Sequence, residues 1–253
     1  MNKTRIIARL DVKNDFVIKG IHLEGLRKVG NPNEMAIKYY NQGVDEIIFM
    51  DAVAAYYDRN SLTEIIETAC KDVFVPITVG GGIRKIEDIQ IALNAGADKT
   101  AINTRAVQNP NFIKEASKVF GSQCIVSSID AKKTANDKWE VYIDNGREPT
   151  GKDVIEWAQE VEALGAGEIM LTSIDKEGTK KGFDIELNNR VNKVVSIPII
   201  SSGGAGKRED VAEVIENTNI DAVSVASLLH YKIEQVDSLK EYLINDKKIQ
   251  IRL

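Results

Sequence analysis

An α/β chain that closes on itself as an eight-fold parallel barrel is what this sequence predicts, on two observations. Short β-branched runs alternate with helical patterns almost from end to end, eight of each, and such alternation favours a parallel sheet covered by helices. The second observation is an internal echo. Ile6 to Lys13 reads IIARLDVK and Cys124 to Lys132 reads CIVSSIDAK, each an apolar run that reaches an Asp, a small or apolar residue and a Lys. Asp11 and Asp130 lie 119 positions apart. Gly43-Val44-Asp45-Glu46 is answered by Gly165-Ala166-Gly167-Glu168 at a spacing of 122, and Gly81-Gly82 with Glu87-Asp88 by Gly203-Gly204 with Glu209-Asp210 at the same spacing. Ordered echoes at nearly one spacing indicate two half-barrels, approximately residues 1–122 and 123–253. Two such halves complete a ring, which favours a (β/α)8 TIM barrel over an open doubly wound sheet.

Taken in order, strands are expected over residues 6–11, 46–51, 75–79, 99–103, 124–130, 168–173, 197–202 and 221–225. Helices are expected over 33–42, 62–70, 86–95, 111–120, 151–164, 185–194, 208–216 and 233–243. Apolar residues recur in the helical stretches at the spacing of one helix face, as Val154, Trp157, Ala158 and Val161 do. Three stretches interrupt the rhythm, each after a strand end. Residues 13–32 carry a further apolar run, Phe16-Val17-Ile18, before Lys19-Gly20; Trp139 to Ile143 followed by Asp144-Asn145-Gly146 reads as a hairpin; and residues 175–184 follow the sixth strand. Loops after strands form the working face of such a barrel, so these insertions build up one end. No linker or low-complexity run divides the chain, and residues 1–253 are read as one domain.

Composition narrows the function classes. A 43% hydrophobic and 28% charged chain is that of a soluble globular protein. No apolar run approaches the roughly 18 residues of a membrane span, and the start MNKTR lacks a signal-peptide core. A cytoplasmic protein is expected. Cys70 and Cys124 have no metal or framework spacing and are read as reduced thiols; His22 and His230 are too far apart to suggest a metal site. Neither a metal nor a cofactor is expected. A net charge of −5 argues against nucleic acid as partner.

The residues that point to chemistry stand at strand ends. Asp11 and Asp130 end the first and fifth strands, where inward carboxylates would flank a ligand as general acid and base. The competing reading is that strand-terminal aspartates cap the turns that follow; the symmetry of the two positions favours the first. Gly80-Gly81-Gly82 and Ser202-Gly203-Gly204-Ala205-Gly206 are strand-to-helix turns whose backbone N–H groups can approach an anion. With Asn103-Thr104 and Ala226-Ser227 after the neighbouring strands, they suggest two phosphate sites on opposite sides of one mouth. At strand starts, Arg5, Glu46, Lys99 and Glu168 would ring the opposite end, as a stability network or as a gate.

These motifs together, LDVK, VGGGIR, GADK followed by Asn103, IDAK, TGKDVIEWAQEVEALGAGEIMLTSID and SSGGAG, resemble the cyclase subunit of imidazole glycerol phosphate synthase of histidine biosynthesis over essentially the whole chain. The resemblance implies a lyase that takes ammonia from a glutaminase subunit, its heterodimer partner, through the barrel interior. It closes that ammonia onto a bis-phosphate ribulosyl aminoimidazole carboxamide, giving imidazole glycerol phosphate and an aminoimidazole carboxamide ribotide. It further implies that Asp11 and Asp130 are catalytic and that Arg5, Glu46, Lys99 and Glu168 form the ammonia gate. Lys19, Asp51, Asn103, Thr104, Thr172, Glu177 and Gly178 would line the substrate site, with Gly81, Gly82, Ser202, Gly203, Gly204, Ala226 and Ser227 at the phosphates.

The chain departs from the usual family pattern at four places. Ala8-Arg9 stands where Pro-Cys is usual, and Ala52-Val53-Ala54-Ala55, followed by Tyr56-Tyr57, where Ile-Thr-Ala-Ser is. Glu177-Gly178-Thr179 replaces Asp-Gly-Thr, and Asn145-Gly146-Arg147 replaces Gly-Gly-Arg. Two alternatives therefore stay open: a paralogue delivering ammonia to an amidotransferase of surface-sugar biosynthesis, marked by the altered loop 52–60, and the related two-aspartate sugar isomerase, which would have no use for the charged floor.

Overall fold

The computed structural model describes residues 3–52, 62–135 and 137–252; Val53 to Asn60 of the altered loop lie outside them. The first half of the chain runs β1 (Arg5–Lys13), β2 (Phe16–Ile21), β3 (Glu24–Gly30), α1 (Pro32–Asn41), β4 (Glu46–Asp51), α2 (Thr63–Ala69), β5 (Ile77–Gly80), α3 (Ile86–Asn94), β6 (Lys99–Ile102), α4 (Thr104–Gln108) and α5 (Asn111–Phe120). The second runs β7 (Ile125–Ala135), β8 (Lys138–Ile143), β9 (Glu148–Asp153), α6 (Val154–Ala163), β10 (Glu168–Ser173), α7 (Ile185–Asn192), β11 (Ile199–Ser202), α8 (Arg208–Asn217), β12 (Ala222–Val225), α9 (Ser227–His230) and α10 (Val236–Glu241). Parallel pairing joins β1, β4, β5, β6, β7, β10, β11 and β12, and β12 returns to β1, so the barrel closes. This is the expected (β/α)8 architecture.

Alternation along each strand sorts side chains into two cores. Ile6, Ala8, Leu10 and Val12 of β1 face the helices and join the large outer core with Phe49, Phe112 and Trp157. Ile7, Ile48, Ala101, Val126, Met170, Ile200 and Ala222 form a separate cluster inside the barrel. The same parity sends Arg5, Arg9 and Asp11 inward with Ile7. Inside the barrel, then, an apolar layer separates charged groups at the floor from charged groups at the mouth.

The two longest insertions are antiparallel ribbons. β2 pairs with the end of β1 and carries β3; β8 pairs with the extended end of β7 and carries β9. They rise from barrel strands one and five, on opposite sides of the mouth. The expected helix over 151–164 starts later, at Val154, because residues 148–153 are spent on β9 and the Asp153 side chain accepts from the backbone N–H groups of Ile155 and Glu156. Strand starts are also late: β5, β11 and β12 begin one or two residues beyond the expected positions. There Asp98 and Asp221 each accept a bond from a neighbouring strand's first N–H, Ile77 at 2.8 Å and Ile199 at 3.1 Å. Asp88 and Asp210 take matching roles before α3 and α8, each accepting from two backbone N–H groups just ahead of its helix. The short helices α4 and α9, absent from the sequence reading, follow Asn103 and Ala226 directly.

Candidate active site at the barrel mouth

Every residue singled out at strand ends comes to the C-terminal mouth. Asp11 of β1 and Asp130 of β7 are both buried there, and their surroundings differ. Asp11 Oδ1 accepts from Arg9 Nε at 2.8 Å, and its other oxygen lies 3.5 Å from Lys19 Nζ. Asp130 Oδ2 accepts from the neutral amide of Asn103 at 3.0 Å, an amide that also donates to the Tyr142 carbonyl. Burial by itself raises both carboxyls. At Asp11 the Arg9 and Lys19 cations override burial and hold the group below the usual carboxylate range; at Asp130 burial prevails and pushes it up to about 6. Two carboxyls at one mouth therefore sit in opposite protonation environments.

Around them the mouth divides. On the side of β4, β5, β6 and β7 a cavity of about 350 Å³ is lined by Asp51, Gly81, Gly82, Asn103, Thr104 and Asp130. Gly81 has φ +88, and a side chain there would overlap the Asp51 backbone, so this turn needs glycine. Thr104 Oγ1 accepts from the Asp144 N–H at 3.1 Å, tying the cavity rim to the β8–β9 ribbon. On the side of β10, β11 and β12 only about 10 Å³ is left among Lys19, Glu177, Gly178, Ser202, Gly203, Gly204, Ala226 and Ser227. A buried Lys19–Glu177 ion pair fills it. Gly204, at φ +118, packs on Gly182 so closely that no side chain would fit, and the Gly204 carbonyl accepts from the Gly182 N–H. The His22 N–H donates to the Glu177 carbonyl at 2.8 Å, which fastens the β2–β3 ribbon over this side.

Arg9 belongs to both halves and was not among the expected site residues. Its guanidinium, on a residue 3% exposed, reaches Asp11 and also donates to Thr172 Oγ1 at 3.1 Å and Ser202 Oγ at 3.2 Å. The signal was parity: Arg9 sits two residues before Asp11 and must share its face. Arg84, Arg105 and Asn145 are further lining residues of the larger cavity that the sequence reading left aside. Burial, with Lys19 nearby, pushes His230 down to about 3, so it is a neutral hydrogen-bond partner of Tyr39, 2.8 Å away.

At the opposite end the four expected floor residues form a closed ring of ion pairs. Arg5 bonds Glu46 and Glu168, each at 2.5 Å, and Lys99 bonds the same two carboxylates at 3.1 and 2.8 Å. A cavity of about 390 Å³ lies against this ring, between Lys3, Gln123, Pro198 and Arg252. Cys70 and Cys124 are unpaired, and no described helix is long and apolar enough to cross a membrane.

A closed parallel barrel with two buried carboxyls in contrasting surroundings at its mouth has the architecture of a (β/α)8-barrel enzyme, and residues 5–234 match the family described as histidine biosynthesis protein. The chain is 60% identical over 210 residues to imidazole glycerol phosphate synthase subunit HisF of Legionella pneumophila, covering 83% of this chain and 99% of that relative. It is 47% identical to the HisF subunit of Hydrogenobaculum sp. (strain Y04AAS1) and 48% to that of Bacillus cereus (strain G9842), each over 98% of both chains. The chain belongs to the HisF family of imidazole glycerol phosphate synthase subunits.

Proposed function

We propose that this barrel is the cyclase subunit of an imidazole glycerol phosphate synthase, a cytoplasmic lyase of histidine biosynthesis. It joins ammonia to a bis-phosphate ribulosyl aminoimidazole carboxamide and releases imidazole glycerol phosphate and an aminoimidazole carboxamide ribotide. The observation that carries this reading is the contrast between Asp11, bonded to the Arg9 guanidinium, and Asp130, bonded to the neutral Asn103 amide and pushed up to about 6 by burial. Ring closure needs a proton removed and a proton delivered on opposite sides of one bound intermediate, which two carboxyls in different states supply. Asp130, pushed up to about 6, is the carboxyl that takes up and gives back a proton near working pH, and Asp11, its ionised counterpart, faces the intermediate from the other side. Gly81 and Gly82 with Asn103 and Thr104 receive one phosphate, and Gly203 and Gly204 with Ala226 and Ser227 the other. Lys19, Asp51, Thr172, Glu177, Gly178 and Ser202 line the path between them.

A glutaminase docks on the floor, forming the heterodimer, and the ring of Arg5, Glu46, Lys99 and Glu168 gates ammonia on its way to the mouth. Residues 1–253 act as one domain built of two half-barrels. The test supplies the bis-phosphate substrate with an ammonium salt and no partner. Turnover is expected, and Asp130→Asn should lower it by at least about 10²-fold, the usual loss for a general acid or base.

A second reading is favoured by the filled half of the mouth. With the Lys19–Glu177 pair in place only about 10 Å³ is free beside Gly203 and Gly204, so a second phosphate has to displace that pair, whereas ammonia needs no such room. A barrel that only conducts ammonia to an amidotransferase of surface-sugar biosynthesis would consume none of the bis-phosphate at any ammonium concentration, yet would still stimulate a glutaminase.

A further inference from the structure

Resting on the cyclase reading, we infer that Arg9 is a positioning residue of the mouth, holding Asp11 as the ionised member of the aspartate pair and so leaving the exchangeable proton to Asp130. Arg9 lies on β1 two residues before Asp11, both side chains point into the barrel, and the guanidinium reaches Asp11 Oδ1 at 2.8 Å. Its far end is fixed as well, by Thr172 Oγ1 at 3.1 Å on β10 and Ser202 Oγ at 3.2 Å on β11. Three strands thus set the orientation of one buried guanidinium.

An arginine cannot shed its proton, and a buried charge is tolerated only when paired. Among the described residues, Asp11 is the only carboxylate bonded to Arg9. Protonating Asp11 would strand the guanidinium in the barrel interior between two neutral hydroxyls, so Asp11 is held ionised by the cost of abandoning Arg9. Asp130 is under no such constraint. Its partner is the Asn103 amide at 3.0 Å, a neutral donor that leaves no charge stranded when Asp130 takes up a proton.

The other charges at the mouth do not undo this asymmetry. Lys19 of β2 lies 3.5 Å from Asp11, but its ammonium is engaged by Glu177, so its field is shared. His230 of α9 is neutral near pH 7. Asp51, Asp144, Arg84 and Arg105 line the larger cavity, two of each sign, with Arg9 and Asp130. Burial raises Asp130, and the nearby Asp11 carboxylate adds to that rise against the Arg9 and Asn103 contributions.

The test reads the carboxyls directly. Full-length, ligand-free protein is labelled with carboxyl-13C aspartate and titrated by NMR, with Asp11→Asn and Asp130→Asn used for assignment. In the unsubstituted protein Asp11 should titrate below Asp130. In Arg9→Met the Asp11 midpoint should rise by at least about one pH unit, the lower end of what a neighbouring guanidinium does to an aspartate, and Arg9→Lys should recover part of the shift. With ammonium as nitrogen source, the acid limb of kcat/KM should move the same way in Arg9→Met. An unmoved Asp11 midpoint, or a fall in kcat with an unchanged pH profile, overturns the inference. So does finding Asp11 above Asp130 in the unsubstituted protein, a result that requires no variant to fold. If the protein does not turn over at all, the cyclase reading fails, while the carboxyl titration still decides what Arg9 does.

Discussion

Asp11 and Asp130 are the same residue type at matching strand ends, yet removing their charges should move stability in opposite directions. Asp130 has its carboxyl pushed from 3.8 to about 6. Between these values the unfolded chain has lost a proton that the folded chain still holds, so stability falls as pH rises through roughly pH 4 to 6 and the loss is complete above. At pH 7 that loss is about 3 kcal/mol. Asp130→Asn should therefore raise the urea midpoint at pH 7.5, by less at pH 5, while it impairs turnover. Asp11→Asn leaves Arg9 buried without its anion and should cost about 3–5 kcal/mol, seen as a lower urea midpoint at pH 7.5. The aspartates were legible in the sequence because each closes an apolar run. Arg9 was not, because an apolar run that tolerates one arginine reads as an ordinary strand until its position is counted against Asp11 two residues on.

Among the elements, the ribbons and their attachments set the shape of the mouth. Asp184 holds one of them: its side chain accepts from Trp139 Nε1 of β8 at 3.2 Å and from Ser173 Oγ at 3.3 Å, and it caps α7 through the Leu187 N–H at 3.0 Å. Asp184→Ala should lower stability by about 1–2 kcal/mol, the range for losing a helix cap, as read from the urea midpoint. Glu177 fastens the other ribbon through buried Lys19. In Glu177→Gln the ion pair is lost and Lys19 keeps at most a bond to an uncharged amide oxygen, and amide exchange over Phe16–Ile21 should quicken while that of the barrel strands stays unchanged. The hairpin near Asp144-Asn145-Gly146 could be read in advance, since alternation and turn residues announce it. Its return strand could not: Glu148–Asp153 contains Pro149 and Gly151, poor strand formers that pair only because β8 supplies a partner.

Across the whole molecule, charge is confined to two ends of one interior, with the apolar layer of Ile7, Ile48, Val126 and Met170 between. The floor ring closes without help from the mouth, so its disturbance should leave the fold and the ammonium-supported reaction in place. In Lys99→Glu three carboxylates would face Arg5 alone. Glutamine-supported turnover with a glutaminase partner is expected to fall at least tenfold relative to the ammonium-supported rate; equal rates would make the ring purely structural. The eight-fold alternation made the barrel readable from sequence, and matching charges at strand starts made the ring readable. The unequal halves of the mouth were not readable, because they depend on where the Lys19 and Glu177 side chains meet.

A closed barrel leaves no strand edge to solvent, but the two ribbons bring edges back. Among the described residues β3 pairs only with β2, and β9 only with β8, so each offers one row of backbone groups that no described strand pairs. Such rows recruit further strands and seed aggregation. Both are blunted by composition: β3 presents exposed Arg27 and Lys28, and β9 presents Pro149, which lacks a donor, and Lys152. Protection of the two ribbon edges thus rests on four side chains. Replacing Arg27, Lys28 and Lys152 with valine and Pro149 with threonine should make the barrel associate edge to edge, visible as light scattering above that of the unsubstituted protein with circular dichroism unchanged at low concentration.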